Sequence, residues 1–478
     1  MTLGALDQAI HDYHALITPD YANQTFRILE AGQIQRRMLV GKQRDRLVCS
    51  VIRPRFVVPA QYTRLLTATE SVGQALLKVG TASLQHPEIL RPYALSPIEQ
   101  QLLLIDPGYA GASVFGRLDG FLDPNGLWCS FVESNLESPA GIAYDEAIAT
   151  LFEQTPLMNA FRQHYECEAL PVRQGLQQLL LDTYQEWGGT QTPSIAIVDF
   201  RSAVTMSEFE HLRDRFQADG IPTMIADPAD LSYHGGKLYA NNTPIDLVYR
   251  RILQHEFLAQ YDLNHPLVQA YADRAVCVIN PFRSKPVHTK LIMWLLSDEE
   301  GPAAGILSPD EQAACAQYIP WSRFVQPGAT RYRGERVDLL AFARTHREQL
   351  VLKPNDEYGG KGVLLGWQTD PTTWEAALDA AVHTPHILQE RVPLPEEPYP
   401  TWTPDEGVVI ANRYVDSDPL VYGEMVVGCL TRIATTALLN VSAGGGSAPP
   451  TFLVRPLSSS QSMAHEHPAS ITKEVTHA

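Results

Sequence analysis

Cysteine is scarce in this 478-residue sequence: six thiols, Cys49, Cys129, Cys167, Cys277, Cys315 and Cys429, are scattered with no C-x-x-C pair. That spacing excludes a zinc ribbon or a disulfide framework and predicts reduced core residues. The 15 histidines form no H-E-x-x-H, and no G-x-S-x-G occurs, so zinc- and serine-hydrolase chemistry lacks support. The Walker pattern G-x-x-x-x-G-K-[ST] is missing, as is a G-x-G-x-x-G opening a helix. Apolar runs such as LIMWLL fall far short of a membrane span, and the N-terminus MTLGALDQAIHDYH has no basic segment leading into an apolar one. A cytoplasmic location is the resulting expectation. Basic residues are outnumbered, 37 against 54 acidic, and the net charge of −17 repels a nucleic-acid backbone. There is no internal repeat. The polar stretch 457–478, LSSSQSMAHEHPASITKEVTHA, has no apolar face and is expected to be disordered.

What is present suits a globular protein of two or three domains, with 45% hydrophobic and 19% charged residues. In residues 1–100, stretches such as YTRLLTATESVGQALLKV carry apolar positions at three- and four-residue spacing, which predicts a mostly helical region. From 101 to 190 the pattern turns to strands, QQLLLIDPGY and LWCSFVESN, joined by turns rich in Asp, Asn, Pro and Gly. Residues 191–285 alternate strand and helix, SIAIVDF, TMSEFEHLRDRFQADG, IPTMIAD and PIDLVYRRI, as in a Rossmann-like unit. No glycine fingerprint follows its first strand, which favours a substrate-side or packing role. Arg250 and Arg251 in this unit are expected on opposite strand faces. Residues 286–456 begin with a helix, TKLIMWLLSDEE, and continue into strands.

The chemistry concentrates in two places. LVLKPNDEYGGKGVLLGW, residues 350–367, reads as strand, glycine loop and strand. Glycine lets successive backbone N–H groups face a ligand, so Gly359, Gly360, Lys361 and Gly362, with Lys353 just before them, suit a polyphosphate. The same pattern also suits an ordinary hairpin turn. A phosphate loop calls for Mg²⁺ and one or two carboxylates to hold it. Downstream, Asp416 and Asp418 in RYVDSDPL read as a solvated aspartate-rich turn. Upstream, FGRLDGFLDPNGLWCSFVESN supplies Asp119, then Glu133 and Asn135 two positions apart on one strand face. Two carboxylates and an amide oxygen are the hard set that Mg²⁺ prefers.

GRLD at 116–119, ESN at 133–135 and the later glycine loop, in that order, resemble the circularly permuted ATP-grasp family, in particular the synthetase domain of glutathionylspermidine synthase. Ordinary ATP-grasp chains carry the lysines and glycine loop first. The resemblance covers roughly residues 100–455. It implies an α/β fold with a Rossmann-like pre-ATP-grasp domain at 191–285, a metal-binding half at 101–190 and a nucleotide-binding half at 286–456. It further implies Mg²⁺ on Asp119, Glu133 and Asn135, with Arg117 stabilising the transferring phosphate. Lys290 and Lys353 become the two nucleotide lysines, Gly359 to Gly362 the phosphate flap, and Gln389, Glu390 and Val392 the adenine and ribose hinge. LTRIATTALLNVSAGGG resembles the segment in which an arginine and an asparagine precede a glycine turn, which makes Arg432 and Asn440 candidates for phosphate contact and closure.

The activity implied is ATP-dependent joining of a small-molecule or peptide carboxylate to an amine through an acyl phosphate. Two departures from that resemblance are that no stretch of these residues is expected to form an amidase domain, and that the loop after the metal residues reads ESPAG where that enzyme has a threonine-containing turn. Two other readings of the same cradle are a phosphotransferase that stops at a phosphorylated product and a nucleotide-binding scaffold without turnover.

Overall fold

Thr18 accepts from the Tyr21 N–H at 3.2 Å and starts the second of two N-terminal helices, α1 (Ala5–Ala15) and α2 (Pro19–Gln35). The computed structural model describes residues 4–457 apart from 42, 171, 424 and 442–445. The tail beyond Leu457 and most of the glycine turn after Asn440 lie outside the described residues. Pro59 occupies the first turn of the long helix α3 (Pro59–Ser83), and Gln61 reaches back to accept from the Val58 N–H at 3.1 Å. Leu65, Ala68, Val72, Ala75, Leu76 and Val79 bury one face of α3. Helices account for most of the described residues up to 100, with short strands between them, of which Arg55–Val57 pairs in parallel with Thr451–Pro456.

The stripe of α3 packs into a core shared with β1 (Phe115–Leu122) and β2 (Cys129–Asn135) through Leu118, Leu122 and Phe131. These strands form an antiparallel hairpin in which Arg117 opposes Asn135 and Asp119 opposes Glu133. Gly120 then opposes Phe131, so Val132 is an extra residue bulged out of the ladder. The chain leaves β2 through a short loop into α4 (Ile142–Phe152).

β3 (Ile195–Val198), α5 (Met206–Ala218), β4 (Thr223–Ala226), β5 (Leu247–Arg250) and β6 (Cys277–Ile279) build a separate sheet, ordered β6-β5-β3-β4 and parallel throughout. Its strands are apolar on both faces: Ile195, Ile197 and Tyr249 enter one core, Ala196, Val198 and Val248 another. Arg250 and Arg251 do diverge: Arg250 Nη1 donates to Glu137 at 2.6 Å, while Arg251 Nη2 lies 3.7 Å from Glu208. Both are buried.

After α6 (Leu291–Ser297), a third sheet takes the order β7-β10-β8-β9, from β7 (Ser322–Phe324), β8 (Leu350–Pro354), β9 (Leu364–Leu365) and β10 (His386–Glu390). β8 and β9 flank the glycine loop as an antiparallel pair. Finally β11 (Asp418–Tyr422) and β12 (Met425–Leu430) return to the first sheet, with β11 against β1 so that Leu420 opposes Arg117. Among the described residues no helix is long and apolar enough to cross a membrane.

Gly120 beside the bulge has no room for a side chain. A Cβ there would stand 2.6 Å from the Ser130 carbonyl oxygen, a backbone atom that cannot swing away. Gly120→Ala is therefore expected to cost about 1–3 kcal/mol through overpacking, read as a lower urea midpoint with an unchanged slope.

Candidate functional site

Period-two alternation places Arg117 and Asp119 on the face of β1 that meets Glu133 and Asn135. Arg117 grips Asp119 through two bonds, Nε to Oδ1 at 2.6 Å and Nη2 to Oδ2 at 2.9 Å, and its Nη1 donates to the Ala140 carbonyl at 3.0 Å. Arg432 adds a second guanidinium, with Nη2 2.9 Å from Asp119 Oδ2. Burial opposes ionisation of Asp119, but Arg117 and Arg432 outweigh it, helped by hydrogen bonds from Arg117 and Asn135. The carboxyl is held well below the usual range.

Arg432 is itself held from below. Its backbone N–H donates to Asp416 Oδ1 at 2.5 Å and its Nε to Asp416 Oδ2 at 2.7 Å, while Nη2 lies 3.0 Å from Asp418 Oδ2. The Gly120 N–H donates to Asp418 Oδ1 at 3.2 Å. Asp416 and Asp418 are 1% and 0% exposed, so the expected solvated turn is wrong. They are buried counter-ions of the arginines, and burial pushes both carboxyls above their usual range against the pull of Arg432.

The glycine-loop half meets this nest at two points. Lys353, on the face of β8 opposite Leu350 and Leu352, donates from Nζ to the Val132 carbonyl at 3.0 Å and to Gln389 Oε1 at 2.6 Å. The bulge explains the first contact, because an extra residue leaves its carbonyl outside the ladder. Gln389 is fixed in turn by donating to Ser322 Oγ at 3.0 Å. Lys290, at the start of α6, pairs with Glu133 Oε1 at 3.1 Å and donates to the Glu357 carbonyl within the glycine loop. Asn355 ties the loop's base to the same helix, its Oδ1 accepting from the Leu291 N–H at 2.9 Å. Segments more than two hundred residues apart therefore share one cleft.

In the loop, Gly359, Gly360 and Gly362 adopt φ of +65°, +77° and +71°, which L side chains rarely take. Asn440 Nδ2 donates to the Gly359 carbonyl at 2.8 Å. Lys361 is mostly exposed and pairs with Glu357 at 2.9 Å. Glu390 is the residue that the fold turns away. One position on from Gln389, it faces the opposite side of the sheet, where Tyr332 and Arg333 each donate to its Oε1 at 2.8 Å. Val392 follows β10, half-buried. Sequence reasoning names Asp416 and Asp418 but sets them aside as a solvated turn, and it misses Asn355 and Ser322. Two aspartates at alternate positions before an apolar strand were the available signal for the first pair.

Among the described residues no three His, Cys, Asp or Glu side chains converge as a ready metal set. Asp119, Glu133 and the Asn135 amide nevertheless offer the hard oxygens that fit Mg²⁺ when phosphates and water complete its shell. A groove of about 620 Å³ runs along α3 past Glu70, Leu77, Lys78 and Val426 and touches none of these residues.

Lys353 provides a pH test. Burial, its largest influence, lowers the ammonium to about 8, partly countered by Glu133. It is cationic below that pH and neutral above it, so affinity for an anion that it grips falls as pH rises. By one-proton linkage, the Kd for a non-hydrolysable ATP analogue should rise about tenfold from pH 7 to pH 9, and Lys353→Met should flatten that slope in calorimetry.

No family model matches the sequence. A protein of Frankia casuarinae named "Putative glutamate--cysteine ligase 2-2" is 25% identical over 348 residues, which is 66% of this chain and 36% of that protein. The chain's match thus spans about a third of that relative's length. Among solved structures, a glutathione synthetase-like effector from Globodera pallida, in its apo form, aligns over 91% of this chain and 98% of its own, with TM-score 0.57 and 10% identity. The likeness is one of architecture: this chain has a glutathione synthetase-like fold.

Proposed function

We propose that the chain is an ATP-dependent carboxylate–amine ligase of the circularly permuted ATP-grasp type, with residues 101–190 as its metal half, 191–285 as a pre-ATP-grasp domain and 286–456 as its nucleotide half. The observation that carries this reading is that Arg117 and Arg432 close on Asp119 and Lys290 on Glu133, with Lys353 on the adjacent Val132 carbonyl, all beside a glycine loop. Asp416 and Asp418 balance the arginines, so what suits a polyanion is Lys353, which rests on two uncharged oxygens, the Val132 carbonyl and Gln389 Oε1, that phosphate oxygens can replace. The glutathione synthetase-like architecture and the ligase name of the Frankia relative point the same way.

On this reading Asp119, Glu133 and Asn135 hold Mg²⁺, which neutralises the phosphates when bound. Lys290 and Lys353 take phosphate oxygens in place of their present partners, and Gly359, Gly360, Lys361 and Gly362 cover them. Gln389 and Val392 border the base. Glu390, turned toward Tyr332 and Arg333, contributes its backbone to the hinge. A substrate carboxylate oxygen attacks the γ-phosphorus as the bond to ADP breaks, and Arg117 and Arg432 hold charge on the transferring group. The amine nitrogen then attacks the acyl carbon, phosphate leaves, and the amide nitrogen loses a proton to solvent. Asn440 keeps the loop closed through Gly359. No protein nucleophile is needed, and positioning does most of the work. The substrates are a small-molecule or peptide acid and an amine.

Hydroxylamine tests this directly. ADP release across a panel of acids should be accompanied by hydroxamate, the product of trapping an acyl phosphate. Glu133→Gln should lower turnover by roughly thirtyfold to a thousandfold, the equivalent of about 2–4 kcal/mol of transition-state stabilisation. Full activity in that variant, or a stable phosphorylated product whatever amine is supplied, would overturn the ligase reading, the second outcome in favour of a phosphotransferase.

A further inference from the structure

Three buried aspartates surround two arginines in the nest, and their contacts are unequal. Asp119 has both oxygens engaged, Oδ1 by Arg117 Nε and Oδ2 by the Nη2 atoms of Arg117 and Arg432. Asp416 binds Arg432 at two points close to its root, the backbone N–H and Nε. Asp418 is only half served. Its Oδ1 accepts from Gly120, but Oδ2, 3.0 Å from Arg432 Nη2 and 3.7 Å from Arg117 Nε, is aligned with neither and has no hydrogen-bond partner. A buried carboxylate oxygen without a hydrogen bond is costly, and the same Arg432 nitrogen that leaves it unsatisfied is bonded to Asp119.

A divalent cation and a guanidinium cannot both be the close partner of one carboxylate oxygen without repelling each other. Resting on the reading of Asp119 as a cation ligand, we propose that Asp416 and Asp418 are positioning residues that receive Arg432 when Asp119 is given over to a divalent cation. Asp416 is the pivot, since its two bonds hold the guanidinium root whichever way Nη2 points. Asp418 is the acceptor, and turning Nη2 away from Asp119 completes its missing hydrogen bond. Arg432 thereby stays paired in both arrangements, ready beside the transferring group, while Asp119 Oδ2 sheds one of its two guanidinium contacts and the bonds from Arg117 remain. No proton or bond changes hands; one hydrogen bond is exchanged for another.

The test is a double-mutant cycle read by Mn²⁺ binding in EPR, on the full chain with a non-hydrolysable ATP analogue and without turnover. Asp418→Asn keeps the shape and the Gly120 contact, and it should weaken Mn²⁺ binding on the order of tenfold, the scale of coupling between neighbouring charged groups. In the Arg432→Gln background, with no guanidinium to receive, the same substitution should change Mn²⁺ affinity less than twofold. Equal affinity in Asp418→Asn and the parent, or the same loss in both backgrounds, overturns the proposal. Asp119→Asn separates the two levels of argument. If it abolishes tight Mn²⁺ binding while Asp418→Asn does nothing, the handover falls and the ligase reading stands; if it binds Mn²⁺ as tightly as the parent, the metal assignment falls and the handover with it. Should Asp418→Asn fail to fold by circular dichroism, Asp416→Asn reads the same cycle through the pivot, with the same expected dependence on Arg432.

Discussion

Everything at the centre of this molecule depends on burying charge without leaving it unpaired. Asp119 lies in a sheet interior, and an isolated carboxylate there would be driven to its neutral form. Arg117 keeps it ionised from within the same strand, and Arg432 from a segment some three hundred positions away. Arg432 in turn demands counter-ions, which Asp416 and Asp418 supply. Satisfying one buried charge thus recruits the next, and the chain of obligations draws the C-terminal strand β11 against β1.

The same logic brings in the glycine loop. Lys353 is a cation on a buried strand face, and it is tolerated because the bulge at Val132 presents a free carbonyl and Gln389 a second oxygen. Burial depresses the affinity of Lys353 for its proton, and neither acceptor carries a formal charge to counter it. Lys290 has a true counter-ion in Glu133 and also holds the loop through the Glu357 carbonyl. These two lysines stitch the hairpin of β1 and β2 to the sheet that carries the loop. A polyanion entering between them would exchange neutral or intramolecular partners for stronger ones, which is how a polar cleft can be stable by itself and still favour a ligand.

The parallel sheet of β3 to β6 stands in another relation to the site. Its strands are buried on both faces, and while Arg251 faces Glu208 within the unit, Arg250 reaches out to Glu137, two residues past Asn135. It meets the glycine loop through Tyr358, which donates to Glu256 at 3.0 Å, and through the buried Lys285, 2.5 Å from Asp356. Position, and not a glycine fingerprint, connects this unit to the cleft.

By itself the sequence determined the local pieces. Glycines between two apolar runs made the β8–β9 hairpin, helix spacing made α3, and alternation put Glu133 and Asn135 on one face, because each depends on neighbours within a few residues. Other features were decided only by tertiary structure. Whether Asp416 and Asp418 face water or protein depends on where Arg432 and β1 arrive, and nothing in VDSDPL encodes that. The bulge that frees the Val132 carbonyl exists only in the register between β1 and β2. Gln389 and Glu390 are adjacent and both polar in sequence, yet one reaches Lys353 and the other Arg333, since the pleat sends consecutive side chains to opposite faces and the packing of β10 against β8 chooses between them. Spacing along the chain reveals periodicity; the partners of a buried charge come from the whole chain.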